Sequence, residues 1–193
     1  FPLGKNPNYG LEISTSIIFS DSIPLFAFIF KILKNFLSEN FQYFSFWIFV
    51  CFFLQLYISY LIIYKISKNF SFAIISSLIF TLAPIFIYRI TFHLALGAHW
   101  LILLGFYLNL KTNSKRKTFY WILLLILSTL VHLYITVMLI GIYSAYLLQK
   151  SLEEKNFITP IYKLGTVIPI ILFFMYIFGY FEASIMGAVS RGY

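Results

Sequence analysis

The chain contains one aspartate, Asp21, and three histidines, at positions 93, 99 and 132, in a sequence with few other reactive side chains. A carboxylate can take a proton from an acceptor hydroxyl, which makes Asp21 a candidate general base. Acidic groups at a membrane edge are costly to hold and are therefore often functional. The flanking serines and the proline three residues later also form a good helix start. Capping the helix that follows is therefore the alternative role of Asp21.

The densest polar cluster lies within residues 88–100 and contains Arg89, His93 and His99. Arginine presents several fixed donors to anionic oxygens, so this cluster suits a phosphate or diphosphate group. In a continuous helix Arg89 and His93 would share one face, whereas His99 would join them only if Gly97 breaks the helix. The alternative is that Arg89 extends to lipid phosphate and the histidines bond the backbone at helix ends.

Further substrate-binding candidates are spread along the chain. His132 would line a cavity, and Glu12 lies in the polar entry loop. Lys31 and Lys34 would meet anionic lipid or help to position an anionic lipid substrate. Asp21 and the histidines are also metal-ligand types, so a divalent metal is a further interpretation, although no HxxxH or HxH spacing supports it. We therefore predict no metal ligand.

Composition excludes a soluble domain. Apolar residues make up 61% of the sequence and charged residues 10%, with a mean hydropathy of +0.91. Uncharged stretches at 41–64, 70–88 and 164–181 each approach or exceed the ~20 residues that cross a bilayer. A third span is predicted at roughly 94–110, and the last one at roughly 161–181. The net charge of +8 does not indicate a nucleic-acid partner, because nine of the fourteen lysines and arginines lie in three clusters between apolar segments. Such clusters indicate orientation in a membrane.

Residues 119–148 are too long for one comfortable span and too short for two. Because lysines flank the stretch on both sides, the positive-inside rule predicts a hairpin of two short helices that meet near His132. This topology places every lysine cluster on the cytoplasmic side. It places Asp21, the 89–99 loop and His132 on the outer side, where a short hairpin is allowed if its turn lines a wet cavity.

We predict an all-α fold, a polytopic bundle of transmembrane helices that forms one integral membrane domain over residues 1–193. Residues 1–40 would form an external loop and an interfacial amphipathic helix at 23–36. Residues 41–182 would form about six transmembrane segments, two of them short, and 183–193 an external loop. The chain opens with Phe1 and both ends read as loops, so we expect it to be a fragment of a longer protein.

The chain resembles a bacterial family of multi-pass membrane proteins that is classed as a domain of unknown function, and that family resembles the GT-C glycosyltransferases. The resemblance rests on Asn6-Pro7 with Gly10 and on residues 19–25, 41–44, 88–89, 93–96, 99–100 and 132–134. It implies an acidic catalytic residue in the first external loop, followed by amphipathic helices, and Asp21 and the 23–36 helix match that arrangement. It also implies a first transmembrane helix ahead of residue 1. A DxD or Trp-Trp-Asp motif is absent from the sequence, so the resemblance does not imply a metal.

These observations predict a glycosyltransferase of the bacterial cytoplasmic membrane. It would move a sugar from a polyprenyl-phosphate-linked donor to a glycan, lipid or protein acceptor on the non-cytoplasmic side. Asp21 would be the base, and Arg89 with His93 or His99 would hold the donor phosphate. One alternative is a transporter or flippase of lipid-linked sugars, which should show polar groups through both halves of the membrane and internal repeats. A structural assembly subunit is the other alternative.

Overall fold

The computed structural model of the chain describes residues 5–6, 15–19, 21–38, 41–110 and 116–181. Within these ranges the fold is all-α, as predicted, apart from a short antiparallel pair of strands, β1 (Lys5–Asn6) and β2 (Thr15–Ser16). Short 3-10 turns occur at Ile17–Phe19, Lys34–Phe36 and Leu94–Gly97. The helices are α1 (Pro24–Ile32), α2 (Phe44–Ser67), α3 (Phe70–Thr81), α4 (Pro84–Phe92), α5 (His99–Leu110), α6 (Lys117–Thr129), α7 (Leu133–Glu154) and α8 (Ile158–Phe178).

Among the described helices, α2, α7 and α8 are long and apolar enough to cross a membrane, and α3 with α4 makes a fourth span if the bent pair counts as one. Many large apolar side chains on these helices point outward and stay exposed. A soluble chain would bury such surface, whereas lipid accepts it. The structure therefore indicates a membrane protein.

The span predicted over 70–88 consists of two helices in the structure. The structure breaks it after Thr81, and α3 and α4 are bent by 44°. Pro84 opens α4, where its missing N–H costs nothing, and it pushes the preceding Ala83 out of the helical region, to ψ 130°. The predicted 23–36 helix is likewise interrupted, because α1 ends at Ile32 and a separate 3-10 turn follows.

The break predicted near His132 is present, but the helices on either side are unequal. Helix α6 has 13 residues and α7 has 22, so only the first arm is short. Lys150 pairs with Glu153 at 3.7 Å and with Glu154 at 3.5 Å, and these contacts one turn apart extend α7 past its apolar run. The second short segment is α5, with 12 residues, rather than the second arm of the hairpin.

Local capping explains where two other helices begin. The side chain of Asn69 accepts a hydrogen bond from the Phe72 amide at 3.0 Å and caps α3. Asn156 accepts from the amides of Ile158 and Thr159 at 3.1 and 3.2 Å and starts α8. These bonds satisfy amides that a helix start otherwise leaves open.

Helix α5 packs closely on α6 and α7 because it carries glycine at position 105. A Cβ added at Gly105 would lie 2.8 Å from Leu139 and 3.0 Å from Trp121. Both neighbours are fully buried, so neither can move aside freely. Gly141 on α7 has nothing within 4 Å of an added Cβ and offers a matched comparison.

We expect Gly105→Ala to destabilise the fold by about 1–3 kcal/mol, the usual cost of overpacking a core. Gly141→Ala should cause no loss, because it meets no atoms and alanine favours helix. Thermal unfolding of the two variants in the same detergent checks this. Equal melting temperatures would show that α5 does not pack against α6 and α7 as described.

Candidate functional site

The described contacts define two ends of the helix bundle. At one end the Leu25 amide donates to the Leu130 carbonyl at 2.7 Å, which ties the start of α1 to the α6–α7 connection. Tyr180 donates to the Thr129 carbonyl and brings the end of α8 to the same place. We call this the Asp21 end, comprising residues 21–25, 93–98, 129–132 and 179–180. The lysine end comprises residues 65–68, 109–110, 116–118 and 150–163.

Asp21 is held by backbone rather than by its own helix. Its carboxylate accepts from the amides of Leu94 at 2.7 Å and Ala95 at 2.9 Å, the first residues of the Leu94–Gly97 turn. Helix α1 has Ile23 at its N-cap and receives no side-chain cap. The alternative in which Asp21 caps the following helix is therefore wrong, because the carboxylate is committed to another segment. The side chain remains exposed, and lone pairs not used by these two amides are free for a substrate.

Two other bonds fix the same region from α2. The Trp47 indole donates to the Leu94 carbonyl at 2.8 Å, so the turn is fastened on both sides. Tyr43 donates its hydroxyl to the Ser22 carbonyl beside Asp21. Gly97 lets the turn lie on α4, because an added Cβ would sit 2.8 Å from the Ile90 side chain. The direction of the Asp21 carboxylate is thus set by α2, α4 and the turn together.

His132 lies at the break between α6 and α7 and is half-buried. Its Nδ1 accepts a hydrogen bond from the Tyr134 amide at 3.2 Å, which caps α7 and leaves Nε2 for another partner. Burial lowers the pKa of His132, the Asp21 carboxylate opposes that shift and His93 adds to it. Asp21, His93 and His132 therefore lie within electrostatic range of one another.

The 88–100 cluster is arranged differently from one continuous helix. Helix α4 ends at Phe92, and His93 follows as an exposed residue whose backbone is no longer helical. His99 opens α5 after the Leu94–Gly97 turn, so the break at Gly97 that would bring it to the others is present. Arg89 is half-buried in the last turn of α4, and its charge acts on His99. None of the acidic side chains that the structure describes is in ion-pair contact with Arg89.

The remaining predicted binding residues are not brought to this cluster by any described contact. Lys31 on α1 and Lys34 in the next turn are both exposed, beside exposed apolar residues such as Ile32 and Phe36. That surface suits an interface with lipid headgroups. Glu12 lies outside the described residues.

The described residues do not form a metal site. Across residues 21–38, 41–110 and 116–181, no three His, Cys, Asp or Glu side chains are placed to hold one ion. The Asp21 carboxylate accepts hydrogen bonds from two backbone amides, and Nδ1 of His132 accepts one from a third. Among the residues that the structure describes, therefore, no set of three such ligands supports the divalent metal that the sequence left open.

His132 should make stability depend on pH. Because burial holds its pKa below the ordinary value, the unfolded chain takes the proton first as pH falls. The contribution of neutral His132 to the free energy of unfolding is therefore complete above about pH 6.5 and declines below it. We expect the fall in melting temperature between pH 7.5 and 5.5 to shrink in His132→Asn, since asparagine caps a helix without titrating. An unchanged pH dependence would contradict this.

Sequence reasoning missed the groups that hold Asp21. The amides of Leu94 and Ala95 are backbone atoms, which no side-chain pattern reveals. Trp47 lies 47 residues before the carbonyl that it contacts. The available signal was Gly97, because an isolated glycine lowers the expectation of a continuous helix.

A family model described as "Domain of unknown function (DUF6311)" matches the whole chain, residues 1–193. The chain belongs to that family, in agreement with the resemblance found in the sequence. Comparison with curated proteins gave no match. Comparison with solved structures gave none either.

Proposed function

We propose that the chain is part of a GT-C-like glycosyltransferase of the bacterial cytoplasmic membrane, with several membrane-spanning helices. It would transfer a sugar from a polyprenyl-phosphate-linked donor to a glycan, lipid or protein acceptor outside the cytoplasm. The observation that carries the proposal is the exposed Asp21 carboxylate, fixed by the Leu94 and Ala95 amides at the end of the bundle where His93 and His132 gather. A rigidly held carboxylate at a membrane edge suits a positioned base.

The reaction needs a proton acceptor and charge stabilisation. Asp21 takes the proton of the acceptor hydroxyl as its oxygen bonds to the anomeric carbon of the donor sugar. The bond from that carbon to the phosphate oxygen breaks, and the electron pair leaves with the polyprenyl phosphate. Arg89, which has no described carboxylate in ion-pair contact, stabilises the charge on the departing phosphate.

The histidines complete the proposed site. His132 has Nε2 left over after capping α7, and His93 is exposed beside the turn that holds Asp21. Each can donate a hydrogen bond to a sugar hydroxyl or a phosphate oxygen. His99 lies within electrostatic range of Arg89 and would help to orient the Arg89 side chain.

The direct test is reconstitution of the full-length protein with a panel of polyprenyl-phosphate sugars and candidate acceptors. We expect release of polyprenyl phosphate together with a glycosylated acceptor. Movement of the donor between leaflets without release of polyprenyl phosphate would instead identify a flippase. Neither release nor movement across the panel would count against both functions and favour a structural subunit.

Sidedness is a separate prediction. Thr91 near the Asp21 end and Lys155 at the lysine end are both exposed, and the native Cys51 is fully buried. Because lysine clusters stay cytoplasmic, Thr91→Cys should react with an impermeant thiol reagent on intact cells and Lys155→Cys should not. Both should react after membranes are opened. Labelling of Lys155→Cys on intact cells would place the candidate site in the cytoplasm.

A further inference from the structure

The lysine end contains a cavity of about 250 Å³ between α6, α7 and α8. Its lining is mostly polar and includes three lysines, Lys117, Lys150 and Lys163. Helix α7 has 22 residues. At 1.5 Å per residue such a helix is ~33 Å long, so this cavity lies far from His132 at its other end. The proposed transfer chemistry does not use it.

The charges around this cavity are not balanced by the protein. Glu154 is the one carboxylate among the lining residues, against three lysines. Glu153 and Glu154 both pair with Lys150, at 3.7 and 3.5 Å, and no described ion pair involves Lys117 or Lys163. The charges of Lys65, Lys150 and Lys163 all act on Lys117. Like charges brought together in this way are unfavourable unless an anion sits among them.

Tyr143 also lines the cavity, but its hydroxyl is enclosed by protein. The side chain is 1% exposed, and the Thr118 side chain is near enough to interact with the hydroxyl. The hydroxyl oxygen has no surface open to the cavity, so the lysines are the groups that an anion in the cavity would meet.

A second cavity adjoins the first and has a different character. It measures about 710 Å³ and shares Lys117, Tyr146 and Lys150 with the first. Most of its other lining residues are apolar, such as Ile62 and Phe106, and the polar ones are Asn109, Gln149 and Glu153. Lys117 lies over the Tyr146 ring, 4.4 Å from its centre, and donates to the Asn109 carbonyl at 3.1 Å. A cationic pocket therefore opens beside an apolar one, with Lys117 fixed at their junction.

We propose that this pair of cavities binds an anionic phospholipid, with its phosphate among Lys117, Lys150 and Lys163 and an acyl chain along the apolar cavity. The phosphate supplies the negative charge that the lysines lack. Basic pockets between membrane helices are a known mode of recognising anionic headgroups.

The experiment measures lipid retention by the full chain purified in detergent, using native mass spectrometry during titration with phosphatidylglycerol, phosphatidylcholine or inorganic phosphate. We expect retention of phosphatidylglycerol in preference to phosphatidylcholine. Lys163→Gln should weaken it about fivefold, the effect typical of one lysine at an anionic surface. Lys155→Gln is the matched control, because Lys155 is exposed at the same end and lies outside both cavities, and it should retain lipid like the parent.

Lys117→Gln provides a second test, because Lys117 lines both cavities and lies at their junction. We expect it to weaken phosphatidylglycerol binding while the chain stays folded. Equal retention of both lipids would overturn the proposal, as would unchanged binding in Lys163→Gln and Lys117→Gln. Displacement of phosphatidylglycerol by millimolar inorganic phosphate would also overturn it, since the site would then be one for free phosphate.

Discussion

Replacing Asp21 with asparagine is expected to slow glycosyl transfer by the full-length protein ~10²–10⁴-fold, the usual effect of losing a general base. An amide cannot take the proton of an acceptor hydroxyl. The structure adds a second effect, because the Asp21 carboxylate accepts from two backbone amides, those of Leu94 and Ala95. Asparagine has one acceptor oxygen, so one of these amides loses its partner. A stability loss of about 1–3 kcal/mol should accompany the loss of activity.

Trp47→Phe provides the control that separates chemistry from positioning. It removes the indole bond to the Leu94 carbonyl and so loosens the same turn from its other side, while Asp21 keeps its carboxylate. Trp47 is fully buried, so this variant should be destabilised as well. Initial rates and melting temperatures are to be measured together for both variants. If Trp47→Phe loses as much activity as Asp21→Asn, the carboxylate acts only by holding the turn.

Much of the helical framework was predictable because apolar runs and lysine clusters are local signals. The runs gave the positions of α2 and α8 to within a few residues, and the charges at both ends of 119–148 predicted the break at His132. The bend before α4 was missed even though Pro84 was visible, because proline also occurs inside membrane helices. Pro169 lies inside the continuous helix α8, so a proline by itself does not predict where a helix breaks.

The candidate site was predictable in its residue types but not in its connections. The sequence brought Asp21, His93 and His132 to one end through topology, and the structure places them within electrostatic range. The support of Asp21 by two amides about 73 residues away in sequence has no local pattern, since it depends on how the turn packs. Tertiary contacts of this kind need the fold.

The cavity at the lysine end is visible in the sequence as a periodic stripe along α7, but its lysines were explained by the positive-inside rule. Along α7, the lining residues Tyr143, Leu147, Lys150 and Glu154 recur every three or four positions and so form one helical stripe. The positive-inside rule accounts for these lysines as a signal of membrane orientation, so the sequence alone gives no reason to assign them a ligand. The position of Lys117 at the junction of a cationic cavity and a mainly apolar one, which the structure alone reveals, is what favours a binding pocket over an orientation signal.

Arg89→Ala is expected to raise the KM for the lipid-linked donor ~10–100-fold, because a charge-assisted hydrogen bond to phosphate is typically worth about 1.5–3 kcal/mol. The guanidinium is half-buried in the last turn of α4, and none of the acidic side chains described in the structure neutralises it. An effect on kcat should accompany the KM change if Arg89 also stabilises the departing phosphate. Both constants are to be obtained from donor titrations at saturating acceptor.

The conservative variant and a distant arginine make this prediction specific. Arg89→Lys keeps the positive charge but loses the planar fork, so donor use should fall between that of the parent and that of Arg89→Ala. Arg116 is exposed beside α6 at the lysine end, and Arg116→Ala should leave the donor KM unchanged. If Arg89→Ala matches Arg116→Ala in every constant, Arg89 serves the surrounding lipid and the donor phosphate is held elsewhere. A KM for Arg89→Lys between those of the parent and Arg89→Ala, with normal folding of both variants, would support contact between the charge at position 89 and the donor phosphate.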